Sequence, residues 1–193
     1  DPADILRFAK LGVIASMHRD LLSRADLVYY SGRKLIEEDV AEHPHLKSKA
    51  KLLEQAVDFD HFASATSSQL DSPEDITRIA RPRLGYFGAI ESWLIDQELI
   101  RYVTLKRPSW EWVLLGLKAA PLEIESLPNV HHLGSKPYSL MPNYAAQFDV
   151  CVLPWVTDNT FVRYGSAVKV REYLATGKPV VIKIGRASCR ERV

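Results

Sequence analysis

The stretch VKVREYLATGKPVVI, residues 168–182, predicts a helix, a glycine turn and a buried strand in direct succession. Ser166 lies just ahead of it as a candidate N-cap. Gly177 is the residue type that ends helices, and Pro179 prevents the helix from continuing. The apolar run that follows has the length of a short buried strand. The stretch is therefore typical of an α/β protein.

Further short apolar runs lie upstream, and several are separated by segments with helical spacing. This alternation predicts right-handed crossovers and a parallel sheet covered on both faces. Ligands of such sheets bind at the carboxyl ends of the strands. The predicted strands are Leu84–Phe87, Trp112–Leu115, Val130–Leu133, Val150–Leu153 and Val180–Ile182, and the predicted helices are Trp93–Lys106, Tyr138–Phe148 and Val168–Ala175.

The first third of the chain repeats this rhythm and ends in a polar connection. A helix is predicted over Ile5–Arg24, a strand over Leu27–Tyr30, a helix over Gly32–Ala41 capped by Ser31, and a weak strand over Lys51–Leu53. Ser64–Pro73 is rich in Ser and Thr and indicates a connecting loop. The chain is thus interpreted as the end of one α/β unit followed by most of another.

Composition excludes several classes of protein. The 193 residues are 47% hydrophobic and 25% charged, which is ordinary globular composition. The formal net charge of +1, from 25 basic and 24 acidic residues, gives no basic surplus for nucleic acid. No apolar run approaches the ~18 residues that a membrane-spanning helix needs. The two cysteines, Cys151 and Cys189, are too few for a disulfide framework, and Cys151 is expected in the core.

The two ends suggest a piece of a longer protein. Asp1 is not a methionine and leads directly into a helical pattern. Residues 184–193, IGRASCRERV, have neither strand nor helix periodicity and closely resemble a translated short-read sequencing adapter. We therefore expect residues 184–193 to be an artefactual tail and leave them out of the fold argument.

Three groups of residues are candidates for binding. Gly88 follows the first strand of the second unit, where a glycine allows close backbone approach and a following helix would favour anions. Backbone groups of Leu133, Gly134 and Ser135 could read the edge of a flat base. Free amides over 167–169, which include those of Val168 and Lys169, suit a diphosphate.

Glu172 and Lys169 are three residues apart, so both can face the same cleft. The Glu172 carboxylate could accept hydrogen bonds from a ribose hydroxyl pair. The alternative is a helical Lys–Glu pair worth about 0.2–0.5 kcal/mol. Metal binding is not expected, since His131 and His132 face opposite ways on a strand and His43 and His45 lack accompanying ligands.

Taken together, these stretches resemble GT-B glycosyltransferases of the family 1/family 4 type. Glu172–Ala175 with GKPVV at 177–181 is similar to the family's donor-site signature, and Ala56–Phe59 with Phe62 is similar to its interdomain passage, with alanine in place of glycine. Further similar stretches lie in the right order: Ala25–Val28 with Ser31, Leu84–Gly88, Pro128–Tyr138, and Phe148–Val150 with Pro154.

The resemblance implies a Rossmann-like parallel sheet domain and an incomplete chain. It implies an acceptor-domain remnant at 1–56, an interdomain connection at 57–82 and a truncated donor domain at 83–183, which the expected artefactual tail at 184–193 follows. Glu172 matches the ribose-binding glutamate, Gly88 the loop beside the diphosphate, and residues 133–135 the base-contacting turn. The helix start at Val168 and Lys169 matches the region near the phosphates and sugar.

The sequence also departs from the family pattern. Tyr164 stands where the Glu-x7-Glu motif has its first glutamate, and Glu91 stands where many relatives carry a basic residue after the glycine. Asn159 and Arg163 are candidate phosphate or sugar contacts. Catalytic residues of the acceptor domain would precede Asp1, so none is assigned and this chain alone is expected to be inactive.

The leading hypothesis is a retaining glycosyltransferase that moves a sugar from a nucleotide-diphosphate sugar to a sugar or lipid-linked acceptor. No cofactor or metal is expected. At the family level, the resemblance implies envelope or exopolysaccharide synthesis in the cytoplasm, with peripheral association at the inner face of the membrane. Two alternatives stay open: a GT-B-fold nucleotide-sugar epimerase or hydrolase, and a noncatalytic nucleotide-binding module.

Overall fold

The computed structural model describes residues 11–158, 162 and 168–183. The chain forms two compact units that divide between Gln55 and Ala56. Among the described residues, the smaller unit covers 11–55 and the larger unit covers the rest. The predicted cap Ser166 and the predicted tail at 184–193 lie outside the described residues.

The smaller unit contains two helices and a two-stranded parallel sheet. Its elements are α1 (Leu11–Arg24), β1 (Val28–Tyr30), α2 (Arg33–Glu42) and β2 (Ala50–Leu52), with β1 paired to β2. The Lys49 ammonium donates to the carbonyls of Leu22 and Ala25 at 2.6 and 2.8 Å, which satisfies acceptors at the end of α1. The prediction that Ser31 caps α2 is wrong: Gly32 is the N-cap, without a side-chain hydrogen bond.

The larger unit is built on a five-stranded parallel sheet, as the alternation of strands and helices predicts. Its strand order is β5-β4-β3-β6-β7, so the chain builds outward from β3 in one direction and then in the other. The strands are β3 (Arg83–Phe87), β4 (Glu111–Leu115), β5 (Val130–His132), β6 (Val150–Leu153) and β7 (Val180–Ile182). The helices are α3 (Phe59–Ala63), α4 (Glu74–Thr77), α5 (Gln97–Lys106), α6 (Met141–Ala146) and α7 (Val168–Ala175).

The core lies on both faces of this sheet, which explains why the strands are continuous apolar runs. Every residue of β3 is buried, and so are four of the five residues of β4. The Phe87 ring stacks on Phe62 at 5.8 Å and meets Tyr173 edge-on at 4.7 Å. Cys151 is fully buried, which confirms it as a core residue, and burial raises the pKa of its thiol to about 11.

Two helix predictions need correction. The helix expected from Trp93 starts at Gln97, because the Asp96 carboxylate caps it by accepting the N–H of Leu99 at 2.9 Å. The buried Ile95 instead forms an antiparallel bridge with Trp155. The helix expected over Tyr138–Phe148 divides into a 3-10 turn, Tyr138–Leu140, and the short α6.

The buried Arg83 connects the amino ends of β3 and β6 through hydrogen bonds. No sequence pattern predicts this arrangement. The Arg83 guanidinium donates to the Ile79 carbonyl at 2.9 Å through Nε. The backbone N–H of Arg83 donates to the Asp149 carboxylate at 2.7 Å, and Arg81 pairs with the same carboxylate. Arg81 and Pro82 are joined by a cis peptide bond. These contacts lie at the end of the sheet opposite the carboxyl ends of the strands.

Candidate functional site

A cleft of about 310 Å³ opens at the carboxyl ends of β3 and β4, beside the start of α7. The strand order reverses at β3, and ligands of open parallel sheets bind at such a switch point. The cleft brings together three of the predicted site residues, Gly88, Ser135 and Lys169. Its other lining residues are Phe87, Ala89, Leu115, Gly116, Leu117, Lys136, Tyr138 and Met141.

Two glycines allow the backbones after β3 and β4 to approach each other closely. Gly88 and Gly116 have φ angles of +153° and +152°, which L side chains rarely adopt. A Cβ on Gly116 would lie 1.7 Å from the Gly88 carbonyl oxygen. The residues after Gly88 form a loop that runs to Asp96, so the helix predicted to follow this glycine begins at Gln97, later than expected.

Buried tyrosines fix the loop that contains Gly88. The Tyr86 hydroxyl donates to the Ala89 carbonyl at 2.8 Å and accepts the Trp155 indole N–H at 3.3 Å. The fully buried Tyr173 hydroxyl accepts the N–H of Phe87 at 3.0 Å. Burial raises the pKa of Tyr86 to about 12 and that of Tyr173 well above its ordinary value. Both phenols therefore stay neutral at pH 7, and their hydrogen bonds hold the backbone at Phe87 and Ala89, which line the cleft.

An ion pair lies at the start of α7. The Lys169 ammonium is 2.8 Å from Glu172 Oε2, and only 6% of Glu172 is exposed. The same ammonium lies 5.0 Å from the centroid of the Phe87 ring. The helical Lys–Glu ion pair, given above as the alternative to ribose binding, is therefore present. Lys169 also lines the cleft. Val168 is the first residue of α7.

The predicted base-contacting turn lies at the end of β5 and is tied to β4. The N–H of Leu133 donates to the Leu114 carbonyl, and the Gly134 carbonyl accepts the N–H of Gly116, both at 3.0 Å. Gly134 has a φ of +76°, and a Cβ there would meet nothing within 4 Å. Of these three predicted residues, Ser135 lines the cleft.

A polar cluster that the sequence analysis does not identify holds the next residue of this turn. The Lys136 ammonium pairs with Asp75 Oδ2 at 2.7 Å and lies 5.3 Å from the centroid of the Tyr144 ring. The Tyr144 hydroxyl donates to Asp75 Oδ1 at 3.0 Å. Burial alone would raise the pKa of Asp75, but the hydrogen bonds from Lys136 and Tyr144 outweigh it and lower the pKa. The hydrogen bond to Asp75 raises the pKa of Lys136.

This cluster makes stability depend on pH. A carboxyl whose pKa is lowered by folding stabilises the protein above its unfolded pKa, about 3.9 for Asp. That contribution is lost as the pH falls through the folded value. We expect Asp75→Asn to lower the free energy of unfolding at pH 7, and the difference from wild type to shrink below about pH 4. Urea unfolding at several pH values measures it.

Asp71→Asn is the matched control for this prediction, because Asp71 is exposed and lies on the same segment. It should leave stability nearly unchanged at every pH. A wild-type–Asp75→Asn difference that stays constant from pH 7 to pH 3 would contradict the assignment of the Asp75 carboxylate as the charged partner of Lys136.

The adjacent histidines His131 and His132 contact different partners. His131 Nε2 lies 2.7 Å from Glu111 Oε2, whereas His132 Nε2 lies 2.9 Å from the Gly116 carbonyl and its Nδ1 lies 3.4 Å from Glu125. No group of three or more His, Cys, Asp or Glu side chains that could hold a metal occurs within the described residues. Asn159, Arg163 and Tyr164 lie outside them.

Solved structures similar to this chain are glycosyltransferases. Anabaena HepE in complex with UDP-glucose matches with a TM-score of 0.59 and 22% identity, over 86% of this chain and 47% of that chain. Sucrose-phosphate synthase from Thermosynechococcus elongatus matches with a TM-score of 0.63 and 17% identity, over 87% and 43%. The chain has the GT-B glycosyltransferase fold.

The match to the lipopolysaccharide glycosyltransferase WaaG has a TM-score of 0.57 and 14% identity, over 96% of this chain and 55% of that chain. The chain spans less than half the length of the HepE structures. No protein-family model and no curated protein matches the sequence. Among the helices of the described residues, none is long and apolar enough to cross a membrane.

Proposed function

We propose that the larger unit is the donor-binding half of a glycosyltransferase, which holds a nucleotide-diphosphate sugar for transfer to a sugar or lipid-linked acceptor. The observation that carries this proposal is the cleft at the carboxyl ends of β3 and β4, which Gly88 and Gly116 line together with Lys169, the ion-pair partner of Glu172. The GT-B fold supports it, since the similar HepE protein was solved with UDP and with UDP-glucose.

Each part of such a donor has a counterpart of suitable chemistry. The Glu172 carboxylate can accept hydrogen bonds from a ribose hydroxyl pair, and Ser135 lies beside the base. The diphosphate belongs near Lys169 and the backbone after β3, where the absence of side chains at Gly88 and Gly116 permits close contact. Asn159 and Arg163 are further candidate contacts for phosphate or sugar.

The chemistry at this site is substitution at the anomeric carbon, with the nucleoside diphosphate as leaving group. Protein groups placed before the reaction stabilise the negative charge that develops on that group. In this site the ammonium of Lys169 and the amides at the start of α7 have that role, so no cofactor is required in the proposal. We propose retention of anomeric configuration and a role in envelope or exopolysaccharide synthesis at the inner face of the membrane.

Calorimetric titration of the 193-residue chain with UDP, UDP-glucose and GDP tests the proposal. We expect saturable binding of at least one nucleotide with a Kd between about 1 µM and 1 mM, the usual range of substrate affinity in enzymes. Because the chain spans less than half of the HepE structures, we expect binding without sugar transfer. Absence of binding by all three nucleotides would overturn the donor-site assignment.

A second measurement separates transfer from the alternatives. In the complete parent enzyme, nucleotide release that requires an acceptor supports a transferase. A change of sugar configuration without acceptor supports an epimerase, and release by water alone supports a hydrolase. Binding without any turnover in the parent indicates a noncatalytic nucleotide-binding module.

A further inference from the structure

Tyr138 is an aromatic ring held firmly in place and yet largely exposed. Its ring stacks on His61 with centroids 4.5 Å apart and an interplanar angle of 18°. It also meets the Phe62 ring edge-on at 5.7 Å. His61 Nε2 is 3.0 Å from the Tyr138 backbone carbonyl, so the two residues are joined through both ring and main chain. Despite these contacts, 55% of Tyr138 remains exposed.

The exposed part of Tyr138 belongs to the cleft. Tyr138 lines it together with Ser135 and Lys136, which end the turn after β5. Within the described part of the chain, His61 and Phe62 are the only rings that contact Tyr138, and the stacked one covers a single face. Because 55% of Tyr138 is exposed and His61 stacks on one face, the ring can offer its other face to a flat ligand.

Tyr138 and Lys169 of the α7 ion pair both line the cleft, and Tyr138 lies within electrostatic range of Glu172. Burial raises the pKa of Tyr138, and the negative charges of Glu172 and Asp58 add to the effect. The ring is thus a neutral phenol at pH 7, close enough to Glu172 to feel its charge. Ser135 and Tyr138 line the cleft from the segment after β5, whereas Lys169 lines it from α7, so a ligand whose phosphates contact Lys169 can place its base against Tyr138 and Ser135.

We propose that Tyr138, backed by His61, is the stacking platform for the nucleobase of the donor. The inference rests on the proposed function and assigns the base, rather than the sugar, to this wall of the cleft. Every base has a π face, so stacking on an immobilised ring contributes affinity without selecting one base strongly. The transferred sugar would lie at the other end of the diphosphate.

The test compares Tyr138→Leu with the wild type in calorimetric titrations of UDP and GDP. We expect the variant to bind the nucleotide about 5–150-fold more weakly, in line with the effect of removing a base-stacking aromatic side chain. Tyr138→Phe should bind like wild type. Tyr102→Leu, which removes an exposed tyrosine from α5, is the matched control and should also bind like wild type.

Two further readouts identify stacking itself. The H5 and H6 protons of uracil should shift upfield in the NMR spectrum when UDP binds wild type, and this ring-current shift should be absent with Tyr138→Leu. Pyrophosphate, which has no base, should bind both proteins equally. Equal UDP affinity, or equal loss of UDP and pyrophosphate binding, overturns the platform. If wild type binds none of UDP, UDP-glucose and GDP, the proposed function is overturned together with the platform.

Discussion

Gly116→Ala is expected to lower the free energy of unfolding of the larger unit by about 2–6 kcal/mol. The estimate combines about 1–3 kcal/mol for an unfavourable φ angle with about 1–3 kcal/mol for overpacking. The overpacking is severe because the new methyl group would lie 1.7 Å from the Gly88 carbonyl oxygen, a backbone atom that cannot rotate away. Urea unfolding of wild type and variant measures the change.

Gly134→Ala separates the two causes. Gly134 also has a positive φ, +76°, but a methyl group there would meet nothing within 4 Å. Gly134→Ala should lower the free energy of unfolding by only about 1–2 kcal/mol, the penalty for placing a residue with a Cβ in the left-handed conformation. If both variants lose the same stability, the close approach of the two backbones is not what requires glycine at position 116.

Glu172→Gln is expected to weaken binding of UDP by about 10–100-fold while leaving pyrophosphate binding intact or stronger. A hydrogen bond to a charged group is worth about 1.5–3 kcal/mol, and each 1.4 kcal/mol corresponds to a tenfold change in Kd. Glutamine keeps the shape of the side chain but removes the charge that attracts both ribose hydroxyls and Lys169. Titration calorimetry with the two ligands measures the difference.

Lys169→Met gives the complementary result. Lys169→Met should weaken the binding of UDP and of pyrophosphate to the same extent, because both ligands carry the diphosphate that the Lys169 ammonium would contact. Glu74→Gln disrupts an exposed ion pair with Arg78 and serves as the control for loss of a glutamate charge. If Glu172→Gln alters stability but not UDP affinity, the Lys169–Glu172 pair is a structural helix contact and the ribose assignment is wrong.

The sequence predicts the sheet well because its signal is local. Val150–Leu153 and Val180–Ile182 are strands with the predicted bounds, since buried parallel strands require continuous apolar runs. Helix starts are harder to predict. The sequence allows α5 to begin either at Trp93 or after Asp96. The later start is the one found, because Ile95 pairs with Trp155, which is far away in sequence.

The site is predicted only in part, for a related physical reason. Gly88 and Ser135 follow strand ends and Lys169 lies at the start of the helix that precedes β7, so the topology brings them to the same edge of the sheet. Asp75 and His61 come from helices whose sequences carry no ligand pattern. Their roles depend on contacts with Lys136 and Tyr138, which are far away in sequence. The local signal is the segment Lys136–Tyr138, which places a cation and an aromatic ring directly after the glycine turn. Its partners Asp75 and His61 have no such signal.

The position of β3 has a consequence for how the protein is made. β3 lies at the centre of the sheet, and both strands that flank it come later in the chain. Asp149, which fixes one side of β3, follows Arg83 by 66 residues. A ribosome must therefore synthesise most of the unit while one edge of its most buried strand is unpaired, and such edges invite mispairing. The cleft at the carboxyl end of β3 can therefore form completely only after β6 has been synthesised.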